Sequence, residues 1–265
     1  MKTFTKEELV KELELIIEYG WHEARSSTNA GAIGNTVEDL LGIEENNLPI
    51  PNAGEWELKT HQLGSSALLS LIHPEPSPRA LKIVPQILIP NYGWTHKEAG
   101  EKYPDEEKSF RATLTYQKRT SRGFTFDIDG LNSRIVVSFN ASSVDFEHSD
   151  WLEGVENKVG LGELDPQPYW GFGDLEAKLR AKLVNAFFLE AEKKKINGVV
   201  HFWYKRLTML ENFKFENFLE VIKEGDIKVD FDARTGHNHG TKMRIKSNRV
   251  SDLYEKSEVL VDITD

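Results

Sequence analysis

The sequence predicts a mixed α/β fold, an α+β arrangement around a mixed sheet. Three observations carry that expectation. Segments of helical period, opened by capping signals, alternate along the chain with segments of period two. Two period-two runs flank an Asp-Gly turn and read as a hairpin. Apolar material for a core is ample, at 39% of 265 residues, with fourteen Phe and six Trp.

Thr5-x-x-Glu8 is a capping box, and Leu9, Leu13, Ile16 and Ile17 follow it at helical spacing as far as Gly20. A Gly-containing loop from Asn29 leads to an Asn35 or Thr36 cap and a short helix carrying Glu38. Residues 55–60 and about 66–73 read as strands around Gly64. Residues 81–89 read as extended, with Pro85 marking an edge or a bulge. Phe110 to Lys118 alternates as a strand. Phe124, Phe126 and Ile128 alternate, Asp129-Gly130 turns, and Ile135, Val137 and Phe139 alternate back. Residues 142–170 are loop-rich. Asp174 opens a long helix with Leu175, Leu179, Leu183, Ala186 and Phe187 on one face. Lys193 to Lys195 stand at its negative end and Asn197-Gly198 at its stop. Val199 to Leu207 is then a strand.

Composition narrows the function classes. No apolar run approaches the roughly 18 residues of a membrane span, and Met1 to Glu8 does not read as a signal peptide. The absence of cysteine excludes disulfides and thiolate metal sites and suits a reducing interior or a warm habitat; a cytoplasmic protein is expected. The net charge of −10 opposes indiscriminate binding of nucleic acid. Basic residues are nevertheless clustered: Ala233 to Val250 contains Arg234, Lys242, Arg244, Lys246 and Arg249 and no Asp or Glu.

The stretch that carries most chemistry is Pro51-Asn52-Ala53-Gly54-Glu55-Trp56-Glu57-Leu58-Lys59-Thr60. On a strand, Glu57 and Lys59 project from one face roughly 7 Å apart. A carboxylate beside an ammonium on one rigid strand suits metal-assisted phosphodiester hydrolysis. The carboxylate holds a hard divalent cation, the cation activates water, and the lysine orients that water or stabilises the pentavalent centre. The rival reading of the tripeptide is an edge strand with solvated charges. A further acid upstream would complete the metal site, and the residue there is Asn52. Its amide oxygen brings no charge, so Mg²⁺ is expected to bind weakly.

Gly34-Asn35-Thr36-Val37-Glu38-Asp39-Leu40-Leu41-Gly42-Ile43, Asn46-Asn47 and Gly54 to Thr60 resemble the MvaI/BcnI-type restriction endonucleases, relatives of the mismatch-repair nicking enzyme MutH. The resemblance is most specific over about residues 29 to 75. It implies a PD-(D/E)xK nuclease core in a MutH-like two-lobed clamp around duplex DNA. The catalytic lobe would span about residues 1–210 and the recognition lobe 211–265. The family pattern is a helix glutamate, a turn aspartate and Glu-x-Lys on the next strand. Glu38, Glu57 and Lys59 match it, and Asn52 departs from it, by engineered inactivation or by natural deviation. Implied further are Mg²⁺ held at positions 52 and 57, a monomer, and a short G·C-rich recognition site. A cognate DNA methyltransferase would act on the same site. The alternatives are a non-cleaving DNA-binding protein on this fold and a MutH-like nicking enzyme.

The second functional stretch is Asp230 to Ile245. Arg spans guanine O6 and N7, and Asp accepts from cytosine N4, so Asp232 and Arg234 together suit one C·G pair. His237 and His239 on a Gly-flanked loop suit base edges or phosphates; a zinc pair and a plain polar loop are the alternatives. Lys242, Lys246 and Arg249 are expected mainly on phosphates, and Arg244 on DNA.

Overall fold

The computed structural model of the chain describes residues 4–25, 31–43 and 53–264; Asn52 lies outside the described residues. Helix α1 (Lys6–Tyr19) begins at the expected capping box. The Thr5 hydroxyl accepts from the Glu8 amide, and the Glu8 carboxylate accepts from the Thr5 amide. Strand β1 (His22–Glu23) and helix α2 (Ala32–Leu41) follow. Helix α2 starts after Gly31, before the expected cap. Thr36 lies inside it, donating to the Ala32 carbonyl and accepting from the Arg25 amide. Strands β2 (Glu57–Gln62) and β3 (Leu69–Ile72) come next.

Residues 81–89 are helical rather than extended. Arg79–Leu81 form a 3₁₀ turn and Val84–Tyr92 a helix of π type. Pro85 sits in the first turn, where a missing N–H costs nothing. Gly93 ends the segment, and a Cβ there would lie 2.3 Å from the Ile89 carbonyl oxygen. A short apolar run does not separate buried helix from buried strand by period. Strands β4 (Trp94–Thr95), β5 (Lys108–Thr115), β6 (Arg122–Asp129) and β7 (Arg134–Val144) follow. The expected hairpin is present, with Phe124 opposite Phe139, Phe126 opposite Val137 and Ile128 opposite Ile135. The stretch read as loop-rich contains helix α3 (Ser149–Val159), whose stripe of Trp151, Val155 and Val159 is short, and strand β8 (Tyr169–Gly171).

The long helix expected from Asp174 ends early. Helix α4 (Phe172–Leu183) gives way to strand β9 (Asn185–Ile196), which carries Ala186, Phe187 and Lys193 to Lys195. Strand β9 pairs on both sides, and Ala186 to Leu189 are buried on both faces. A strand buried on both faces loses the alternation that would reveal it. Asn197 (φ 50°) and Gly198 (φ 84°) are a hairpin turn into β10 (Val199–Phe213), not a helix stop. Helix α5 (Phe215–Lys223) and strands β11 (Ile227–Arg234), β12 (His237–Ile245) and β13 (Tyr254–Asp262) complete the chain.

The chain forms two compact units, each discontinuous in sequence. The first comprises Met1–Leu69, Lys178–Phe218 and Lys246–Asp265; the second comprises Ser70–Ala177 and Leu219–Ile245. The sequence reading places a single boundary near residue 210, whereas the chain passes between units repeatedly, including within α4 and α5. In the first unit the sheet order is β1-β10-β9-β2, with β13 also on β10. Strand β2 runs parallel to β9 and the other pairs are antiparallel, so the sheet is mixed as expected. Leu9, Leu13, Val37 and Leu41 pack with Phe187, Leu189, Tyr204 and Leu207 in its core. The second unit holds the sheet β3-β12-β11-β5-β4 and the three-stranded β6-β7-β8. Phe110 sits edge-on to both Phe124 and Phe231, at 5.1 and 5.4 Å between centroids, and each such pair adds about 0.5–1.5 kcal/mol beyond its burial.

Candidate active site and nucleic-acid surface

A tight turn aims the start of β2. The Ala53 amide donates to the Trp56 carbonyl and the Trp56 amide returns to the Ala53 carbonyl. Gly54 takes φ 73°, which a side chain would strain. Trp56 then stacks on Phe187 at 4.4 Å, anchoring the turn to β9. Glu55 is exposed in this turn rather than on the strand, so it does not share the face of Glu57. Along β2, Leu58 enters the core, and Thr60 faces α2, where a Cβ on Gly34 would meet its hydroxyl at 3.3 Å. Alternation sends Glu57 and Lys59 to the other face.

On that face Glu57 is 3% exposed. Its Oε1 receives Lys59 Nζ at 2.9 Å and Lys182 Nζ, from α4, at 3.5 Å. Its Oε2 is buried with no hydrogen-bond partner among the described residues. A buried carboxylate oxygen left unpaired costs about 1–3 kcal/mol or more, which binding a cation would recover. Tyr254 is buried nearby. Burial first, and the Glu57 charge second, push its phenol well above the usual range. Glu38 is half-buried on α2, the helix that covers the Thr60 face. There, after burial itself, its charge adds to the upward push on the phenol of Tyr204, whose hydroxyl donates to the Ile33 carbonyl at 2.6 Å. His61 is buried and held by the Ala67 carbonyl at 3.0 Å, as a structural histidine would be.

The donor set fits a hard cation at one point, Glu57 Oε2. Among the described residues no group of three or more His, Asp or Glu forms a metal centre. Lys182 is the contributor that sequence reasoning missed. Its approach is created by the docking of α4 on the sheet, and no local spacing announces it.

The second stretch forms the β11–β12 hairpin, turning at Thr235-Gly236. Lys228, Asp230, Asp232 and Arg234 line one face of β11, alternating with buried Ile227, Val229, Phe231 and Ala233. Asp232 and Arg234 therefore share a face, as the spacing predicts. Both are already paired. Asp232 binds Arg111 of β5 at 3.0 Å and faces Lys242 of β12 at 4.0 Å. Arg234 binds the buried carboxylate of Glu107 at 2.9 Å, with its guanidinium 4.3 Å from the Tyr103 ring centre. Arg244 binds Asp230 at 3.1 Å, and Arg249 binds Asp252. His237 and His239 are exposed on β12 with rings 4.2 Å apart. Lys246 and Arg249 belong to the first unit, the other residues of the group to the second. The acid-free run is thus acid-free only in sequence, since acids from outside it neutralise much of its charge. Arg111 and Glu107, brought in by strand pairing, were not legible.

The chain matches the family model of the MvaI/BcnI restriction endonuclease family over residues 10–254. No curated protein matches it. Among solved structures it is similar to one titled restriction endonuclease MvaI–cognate DNA substrate complex, with a TM-score of 0.76 and 24% identity over 98% of this chain and 100% of that one. It is also similar to restriction endonuclease MvaI in the absence of DNA, with a TM-score of 0.54 and 25% identity over the same shares.

Proposed function

The chain belongs to the MvaI/BcnI restriction endonuclease family, and so to the type II site-specific nucleases; from that premise we propose that it hydrolyses duplex DNA at the Glu57–Lys59 pair, in an attenuated form. The observation that carries this is the buried, unpartnered Glu57 Oε2 beside an ammonium at 2.9 Å from the other oxygen. Glu57 Oε2 and the amide oxygen of Asn52 are the proposed ligands of a divalent cation, Mg²⁺ in this reading. When bound, it would acidify water and offset charge on phosphorus.

Lys59 has the catalytic role. Its ammonium orients the attacking water and meets the charge that builds on the phosphate in the transition state. Lys182 is a positioning residue. It shares Glu57 Oε1 with Lys59, which fixes the carboxylate and leaves Oε2 for the cation. Glu38 assists from α2. Asn52 removes one negative charge where the family carries aspartate, which weakens cation binding and so slows cleavage.

In the second unit, Asp232 and Arg234 read a C·G pair of a short G·C-rich site. Their present partners, Arg111 and Glu107, hold them until base edges compete. His237, His239, Lys242 and Arg244, with Lys246 and Arg249 of the first unit, are assigned to flanking contacts and phosphates. The protein acts as a monomer in the cytoplasm, with a methyltransferase protecting the same site. No helix among the described residues is long and apolar enough to cross a membrane.

The test is cleavage of a randomised duplex library with Mg²⁺ at high enzyme concentration, with the cut ends sequenced. Slow cutting at one short motif, absent in Glu57→Gln, is expected. Cutting that persists in Glu57→Gln would refute the site.

A further inference from the structure

The second unit contains a cleft of about 490 Å³ remote in sequence from both stretches discussed above. Trp94 and Thr95 of β4, Lys108 of β5, Arg122 of β6, and Trp151 and Lys158 of α3 line it. Its charged lining is three cations, Lys108, Arg122 and Lys158, against two exposed carboxylates, Glu147 and Asp150. The Arg122 guanidinium lies over two indoles, 4.4 Å from the Trp94 ring centre and 5.7 Å from that of Trp151. Stacking engages the faces of the guanidinium and leaves its in-plane donors to be satisfied. Arg122 Nε is buried with no hydrogen-bond partner among the described residues. Burial lowers its pKa, and only the charge of Glu147 opposes that.

Lys108 and Lys158 meet in the same cleft. Contact with the Lys108 side chain first, then burial and the Lys108 charge, push Lys158 down to about 8. Lys158 donates to the Pro90 carbonyl at 3.0 Å, and neither lysine has a carboxylate partner among the described residues. The remaining titratable groups are Glu147, Asp150 and His148. Glu147 and Asp150 also line the cleft and are exposed to solvent. His148 is held by Ser121 at 3.0 Å and Glu147 at 3.3 Å.

We infer that this cleft binds a phosphate group, with the in-plane donors of Arg122 and the ammoniums of Lys108 and Lys158 as its ligands. A planar guanidinium matches phosphate bidentately, and two point cations complete the charge. A tetrahedral dianion or a phosphodiester also removes the repulsion between the lysines. The phosphate comes either from a DNA backbone or from a free phosphate compound; the ligand chemistry is common to both.

The full chain is titrated with inorganic phosphate while indole emission is followed, since Trp94 and Trp151 flank Arg122. Saturable change in the unmodified chain is expected, weakening as pH rises through about 8 as Lys158 loses its proton. It should be lost at least tenfold in affinity in Lys108→Ala/Lys158→Ala. Salt-dependent duplex binding by the same proteins identifies the source. A slope flatter by about two in the double variant marks DNA phosphates; an unchanged slope with phosphate binding lost marks a free phosphate compound. If the double variant does not fold, Arg122→Lys, which keeps charge but loses the planar fork, should weaken phosphate severalfold. An unmodified chain whose emission ignores phosphate, together with variants whose duplex slope is unchanged, overturns the assignment.

Discussion

Glu57 and Asp232 are both carboxylates flanked by two cations, and they are in opposite states. Glu57 is buried, and both lysines address one oxygen while the other has no partner. Asp232 is a third exposed, and each oxygen faces its own cation, Oδ1 to Arg111 and Oδ2 to Lys242. The first arrangement keeps a ligand position open in a medium where charge interactions are strong. The second neutralises charge at a surface where a pair is worth about 0–1 kcal/mol and is easily exchanged. The proposed cation site and the proposed reading surface thus differ in where the unmet hydrogen-bonding capacity lies.

The comparison predicts a hierarchy of effects. The largest belongs to Lys59. With Asn52→Asp as background, Lys59→Ala should slow single-turnover cleavage by roughly a thousandfold and leave duplex affinity nearly unchanged. Equal losses in both would make Lys59 an ordinary phosphate contact and erase the contrast. Next come the readers. Arg234→Ala or Asp232→Ala should cost about 1–3 kcal/mol on the cognate duplex and little on random DNA. Competition titrations on both duplexes measure this, and a uniform loss would move Arg234 to the backbone contacts. Lys182 is expected to show a smaller, diagnostic change. Lys182→Met removes a cation 3.5 Å from Glu57, so the half-saturating Mg²⁺ concentration should fall severalfold even as the maximal rate declines. A variant that changes rate alone would make Lys182 only a prop. The smallest effect is that of Lys242→Ala, which should flatten the salt dependence of duplex binding by about one unit of slope for every sequence.

What was legible follows the range of the interaction. Glu57 and Lys59 are two apart on one strand, and Asp232 and Arg234 likewise, so local alternation sufficed to pair them. The β6–β7 hairpin was legible for the same reason. Lys182 reaches Glu57 only because α4 docks on the sheet, and Arg111 reaches Asp232 only because β5 pairs with β11. Strand β9 was hidden because burial on both faces removes its period, and the helical leucines before it suggested continuation. The acid-free window misled because Asp230, Asp232, Glu107 and Asp252 lie outside it in sequence and against it in space.

The Glu57–Lys59 pair is proposed as a phosphodiester-hydrolysis site short of one carboxylate at position 52. The most direct measurement compares Mg²⁺-dependent cleavage of a duplex carrying the motif selected from the randomised library by the starting chain and by Asn52→Asp. Restoring a charged ligand should raise the rate by orders of magnitude and lower the Mg²⁺ concentration required. An Asn52→Asp protein that binds the same duplex and cuts it no faster would contradict the account.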